Sequence, residues 1–238
     1  MSRNKPRVPD GVRVYAIGDI HGCADLLDQT LGRIDLDLTR NPVATNFQIF
    51  LGDYIDRGPA SREVVDRLVV RHRLHPTIFL KGNHETYVTS LANNPSILED
   101  WQRFGGFETL MSYGIVPDVN SGGSSKTQLA AAFGRVLPAS HRHFFNNLTL
   151  SFTCGDFFFV HAGVRPGITL ADQSEQDLLW IRQDFLCYEE KFSKVIVHGH
   201  TPVLEPDIRP NRINIDTGAY ATGRLTCLRL QNDSIDFV

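Results

Sequence analysis

The chain has 238 residues, of which 42% are hydrophobic and 21% charged. A chain of that size and composition buries a sizeable core in one large domain or two small ones, which excludes a disordered protein. Its formal net charge of -3 is too balanced for a nucleic-acid backbone to be the main partner, so no nucleic acid is expected.

Residues 1–11 (MSRNKPRVPDG) read as a loose N-terminal tail. VRVYAIG at 12–18 reads as a buried strand running into DIHG, followed by a helical stretch around 24–34. FQIFLG at 47–52 is a second strand, ending in DYIDRGP. SREVVDRLVVRHRL at 61–74 sets Val64, Val65, Leu68 and Val69 on one helical face, with Ser61 as candidate N-cap. TIFLKG at 77–82 is a third strand, ending in NHE. Strand, polar cluster and helix in repetition are the pattern of a sheet with crossover helices, where functional groups gather at the carboxyl ends of strands.

Residues 90–147 break that pattern and read as a mostly helical insertion with a flexible stretch, NSGGSSK, at 120–126. The second half is strand-rich. LTLSFTC (148–154) and DFFFVHAG (156–163) suit a hairpin around Gly155, and DLLWIR (177–182) a short helix or turn. KVIVHGHT (194–201), RINIDTG (212–218) and RLTCLRL (224–230) read as further strands.

The four cysteines, Cys23, Cys154, Cys187 and Cys227, form no CxxC pair, so free thiols in a reducing compartment are expected. No apolar signal segment and no long apolar span is visible, so a cytoplasmic protein without membrane contact is expected.

Five polar clusters each follow a predicted strand: GDIHG, GDYIDRG, GNHE, HAG and HGHT. A single such aspartate usually caps a turn, and a single such histidine usually packs in the core. Five together, rich in Asp, Asn and His, exceed what capping explains. Carboxylate, imidazole and amide oxygen suit Mn²⁺, Fe²⁺ or Zn²⁺, and the absence of cysteine argues against a structural thiolate site. There are too many ligands for one ion. Two ions about 3.5–4 Å apart, bridged by a carboxylate, would use them and would serve displacement at phosphorus. Arg57 and Arg182 are candidates for gripping phosphate oxygens. His84, oriented by Asp56, is the candidate acid for the leaving group.

In order, GDIHG, GDYIDRGP, GNHE, HAG and GHTP, with WxxxGG near 101–106 and DTGA near 216–219, closely resemble the phosphoprotein phosphatase branch of the calcineurin-like metallophosphoesterases, nearest to bacterial and phage serine/threonine phosphatases. The resemblance runs from about residue 12 to the end. It implies an α/β fold (α+β by some schemes): two mixed β-sheets packed as a sandwich and flanked by helices, in one domain over 12–238 with the insertion at about 90–147. It assigns Asp19 and His21 to one metal, Asp53 to both, and Asn83, His161 and His200 to the other. It makes Arg57 and Arg182 the phosphate-binding arginines, His84 the acid and Asp56 its orienting carboxylate. His198, two residues before His200, is expected as a packed strand residue.

The expected function is therefore metal-dependent phosphomonoester hydrolysis by an activated hydroxide, with two Mn²⁺ ions and a phosphorylated protein or peptide as substrate. Two alternatives stand beside it: a symmetrical dinucleoside tetraphosphate hydrolase and a non-catalytic phospho-binding module. The intact GDYIDRG and the glutamate of GNHE favour the protein phosphatase in this reading. Among the remaining residues, Cys23 is expected as a small buried residue, Arg165 in a surface turn, and Arg209 and Arg212 solvated or in ion pairs. Trp101, Phe104 and Phe107 suit either a substrate groove or packing of the insertion, while His72 and His75 are expected to face solvent.

Overall fold

The computed structural model describes residues 5–116 and 125–238. Strand β1 (Val12–Ile17) pairs in parallel with β2 (Thr45–Phe50), and β2 with β3 (Thr77–Phe79). On its other side β1 runs antiparallel to β9 (Cys227–Gln231), which carries β10 (Ser234–Phe237). The second sheet has the order β4 (Ser151–Cys154), β5 (Phe157–Val160), β6 (Val195–His198), β8 (Arg212–Asn214), β7 (Asp207–Ile208). Both sheets are mixed, as expected: β5, β6 and β8 are mutually parallel, while β4 and β7 run against their neighbours.

Side-chain alternation along the strands divides the core. Val14, Ala16, Ile49, Leu51, Leu228 and Leu230 of the first sheet meet Phe157, Phe159, Val197 and Ile213 of the second in one buried cluster. Tyr15, Ile17 and Phe50 face the other way, onto helices α1 (Ala24–Arg40) and α2 (Ser61–Leu74). Phe158, Val160 and Ile196 likewise turn outward, toward α8 (Glu175–Trp180) and α9 (Gln183–Leu186). The result is helix, sheet, sheet, helix.

Several expectations need correction. Helix α1 continues to Arg40 rather than ending near 34, because Asp37 in its last turns is held against the first sheet. Its carboxylate accepts from Tyr15 at 2.6 Å, Arg13 at 3.2 Å and Arg229 at 2.8 Å. Ser61 is the first helical residue of α2 and not its cap; its Oγ accepts from the Asp56 amide at 3.0 Å. Strand β3 keeps only three residues in the ladder. The described part of the tail is docked: Val8 is fully buried at the end of the inter-sheet core, and its amide donates to Asn232 at 2.9 Å. Strands β7 and β10 are absent from the sequence reading.

The segment expected as an insertion, about 90–147, follows α3 (Glu85–Ser90) and, among its described residues, contains α4 (Leu98–Arg103), α5 (Gly106–Ser112), α6 (Lys126–Val136) and α7 (Ala139–Asn146). The stretch expected to be flexible, 120–126, lies outside the described residues up to 124. The hairpin of β4 and β5 turns at Gly155, as expected. Among the described residues, no helix is long and apolar enough to cross a membrane.

Candidate metal centre and active site

The five polar clusters follow β1, β2, β3, β5 and β6, whose parallel runs bring their carboxyl ends to one rim. The loops there are strained. His21, Asp53, Asp56, Arg57 and His200 have φ of 44°, 50°, 72°, 66° and 66°, a region unfavourable to residues with a Cβ. Such strain persists only where surrounding contacts fix it. Glu85 supplies one such fixture: its buried carboxylate accepts from the amides of Gly82, Asp53 and Tyr54 at 2.8, 3.0 and 2.8 Å. Burial and the adjacent Asp53 charge push this carboxyl up to about 8.

Asp53 lies at the centre. Its Oδ2 is 3.5 Å from His21 Nε2 and 3.8 Å from His84 Nε2, while its Oδ1 is 3.4 Å from His161 Nε2. Ligand atoms of His21, Asp53 and His84 lie within 4.8 Å of one another, as do those of Asp53, His161 and His200. Asn83 Oδ1 joins the second group, 2.9 Å from His161 Nε2 and 2.9 Å from His200 Nδ1. Asp19 Oδ2 accepts from the His200 amide at 3.0 Å, and its Oδ1 is buried with no partner.

These residues fit divalent metal ions. His21 Nδ1 lies 2.9 Å from Ile55 O and His161 Nδ1 2.9 Å from Leu51 O, so each ring donates from Nδ1 and keeps a lone pair on Nε2. At His161 that lone pair meets the Asn83 carbonyl oxygen, an arrangement a cation relieves. Burial holds His21 down to about 3 and His200 to about 2, and lowers His161, which keeps the imidazoles neutral and able to ligate. Burial together with the charges of Asp216 and Asp53 raises Asp19 well above the usual carboxylate range. So much buried negative charge calls for a positive partner.

Asp56 is fully buried and bonded on every side. It takes His84 Nδ1 at 2.6 Å, Trp101 Nε1 at 2.8 and 2.9 Å, and Thr109 Oγ1 at 2.5 Å. Burial opposes the His84 imidazolium, but the Asp53 charge and the Asp56 contact outweigh it, and its pKa lies above the ordinary value. Arg57 Nη1 donates to Tyr220 Oη at 2.6 Å, and Arg182 Nε donates to His200 Nε2 at 3.1 Å. All ten candidate residues thus meet at one rim. His198 stands apart: it is fully buried, with its ring 4.9 Å from that of Phe185.

Sequence reasoning missed four contributors. Glu85 fixes the metal loops, Thr109 supports Asp56, and Tyr220 holds Arg57. Asp216, in the noted DTGA, accepts from Gly218 N at 2.9 Å, and burial raises it to about 6. Trp101 is fully buried against Asp56, so it packs rather than lining a groove. Arg212 is neither solvated nor ion-paired: it is buried and donates to the carbonyls of Leu186 and Tyr188. Arg165 is exposed and pairs with Asp177 and Asp184.

The asymmetrical bis(5'-nucleosyl)-tetraphosphatase PrpE of Anoxybacillus flavithermus is 28% identical over 90% of this chain and 88% of its own. A crystal structure of a candidate diadenosine tetraphosphatase superposes with a TM-score of 0.64 at 19% identity, covering 99% of this chain and 98% of that one. A cold-active protein-tyrosine phosphatase from a Shewanella species gives a TM-score of 0.60 at 16% identity, covering 96% and 80%. The latter two show likeness of fold. The profile of the calcineurin-like phosphoesterases matches residues 12–238, and the chain is a metallophosphoesterase-family hydrolase of that group.

Proposed function

We propose that this protein is a divalent-metal-dependent hydrolase of dinucleoside polyphosphates, cleaving asymmetrically to a nucleoside triphosphate and a monophosphate. The observation that carries the hydrolase reading is Asp53, with one oxygen toward each of two histidine groups and the His84–Asp56 pair alongside. The nucleotide preference is supported by the PrpE relative, aligned over 88% of its own length. The name of that relative favours the asymmetrical enzyme over the symmetrical one weighed from sequence.

The sequence argument for a protein phosphatase weakens in the structure. Glu85 of GNHE and Tyr54 of GDYIDRG are fully buried and bond to backbone, Tyr54 Oη donating to Leu80 O at 2.6 Å. They hold the loops and are too buried to contact a substrate of either class. Phosphoprotein hydrolysis stays as a second reading, because Arg57, Arg182 and His84 address the phosphoryl group rather than what it is attached to.

Asp19, His21 and Asp53 would hold one ion, and Asp53, Asn83, His161 and His200 the other, with Mn²⁺ the proposed metal. When bound, the ions supply an activated water and positive charge at the scissile phosphorus. Arg57 and Arg182 orient the phosphoryl oxygens and offset the charge that develops on them. His84 is placed to offer the proton on Nε2 to the departing oxygen, which matters most for an alkoxide and least for an anhydride leaving group, while Asp56 holds Nδ1–H and fixes the ring.

The test is metal-depleted protein restored with Mn²⁺, assayed on diadenosine tetraphosphate and on a phosphothreonine peptide. ATP with AMP is the expected product pair. Two molecules of ADP would make the enzyme symmetrical, and phosphate from the peptide alone would establish the second reading.

A further inference from the structure

Tyr220 belongs to none of the motifs that define the site, yet it touches two of them. It sits on α10 (Ala219–Thr222), a single turn bracketed by Gly218 and Gly223 with φ of 63° and 69°. Gly218 donates to Asp216, and Thr222 Oγ1 donates to Thr217 O at 2.7 Å, so the turn is tied to the floor of the metal site. From there the Tyr220 ring reaches outward, 42% exposed, and stands edge-on to His21 with centroids 5.5 Å apart. Its Oη accepts from Arg57 Nη1 at 2.6 Å, and the guanidinium carbon lies 4.8 Å from the ring centroid.

Arg57 is half-buried and its guanidinium is bonded to a phenol. Among the described residues, no carboxylate lies within ion-pair distance of the Arg57 guanidinium. A carboxylate would orient it but would also cancel its charge and compete with phosphate. A phenol orients it through one hydrogen bond and the ring face, and leaves the positive charge available. The backbone of Arg57 is fixed independently: its amide donates to Gly105 O at 3.2 Å. The side chain beyond it is long and gains its direction from Tyr220.

We propose that Tyr220 is a positioning residue that holds the Arg57 guanidinium toward the phosphoryl site without pairing it to a carboxylate. This rests on the reading of Arg57 as a phosphate-binding residue. It acts through Arg57, on phosphate binding and on the charge that develops on the phosphoryl oxygens, and it operates for any phosphoryl substrate.

The experiment measures inorganic phosphate affinity of the Mn²⁺-loaded protein by calorimetry, alongside KM and kcat on whichever substrate it cleaves. Tyr220→Phe is expected to weaken phosphate binding by about three- to tenfold, the worth of one net hydrogen bond, and to lower kcat/KM by at least that factor. In Tyr220→Ala both effects are larger, since the ring contact is also lost. The decisive comparison is the cycle with Arg57→Ala: adding Tyr220→Phe to that variant should cost nothing further. Unchanged phosphate affinity in Tyr220→Phe, or losses that add to those of Arg57→Ala, would overturn the proposal. Should Arg57→Ala itself leave phosphate affinity intact, the reading of Arg57 fails, and the role of Tyr220 fails with it. Failure to cleave either substrate would count against the proposed function and leave the phosphate-binding cycle as the deciding measurement.

Discussion

Asp53 shows how much one residue can be asked to do. It adopts a strained backbone, places an oxygen toward each histidine group, and lies buried among other acids. Asp53→Asn is expected to lower turnover by orders of magnitude while the fold survives; metal content and activity of the purified variant check both parts. His84 gives a sharper test. Its acid role matters in proportion to how poor the leaving group is. His84→Asn should cut hydrolysis of a phosphoserine or phosphothreonine peptide by about 10²–10⁴-fold, the usual worth of general acid catalysis. Cleavage of an anhydride or an activated aryl phosphate should suffer far less, because those groups depart with little protonation. Equal losses on all substrates would remove the acid role from His84.

At the scale of elements, loops are held by residues that never meet substrate. Glu85, at the start of α3, ties the loop after β2 to the loop after β3 through its contacts to Gly82, Asp53 and Tyr54. Glu85→Gln replaces one acceptor oxygen with an NH₂ facing an amide donor. Metal affinity or activity should fall about 10- to 100-fold, as it does for other residues that orient ligands. Metal titration of the variant is the check. Asp37 plays the same part between α1 and the first sheet. Burial disfavours its charge, but bonds from Tyr15, Asn41 and Arg229 prevail and lower its pKa in the folded protein. Its contribution to stability is then complete above the unfolded value of about 3.9 and is lost as pH falls through the lower folded value. Thermal melts should show Asp37→Asn less stable than the parent near neutrality, with the difference narrowing in acid.

For the whole molecule, the sandwich brings loops from both sheets to one rim and buries five acids there: Asp19, Asp53, Asp56, Glu85 and Asp216. Chelation should therefore cost stability as well as activity. A ligand at about one hundred times its dissociation constant contributes about 2.7 kcal/mol, so removing the ions should lower the melting temperature measurably and re-addition should restore it. A melt unaffected by chelator would show that the acids are accommodated without a cation.

The sequence by itself determined the order of the strand-end motifs and the residues they carry. Parallel strands must place their carboxyl ends together, so residues directly following them are local to a site that alternation and motif spacing already reveal. That reasoning reaches the five clusters; the choice of Asp19, Asp53, Asn83 and His161 within them, and of His200 over His198, comes from the resemblance. Only the tertiary structure decided what surrounds Asp56. Trp101 and Thr109 lie 45 and 53 residues away, on helices whose short apolar patterns say nothing of a buried carboxylate. Tyr220 is 163 residues from Arg57 and meets it because α10 folds back over the rim. Strand β7, with two residues, is too short to carry a period of its own, and its place follows from pairing with β8. Local chemistry is written in local sequence; contacts between distant segments depend on how completed elements pack, and no window of the chain contains both partners.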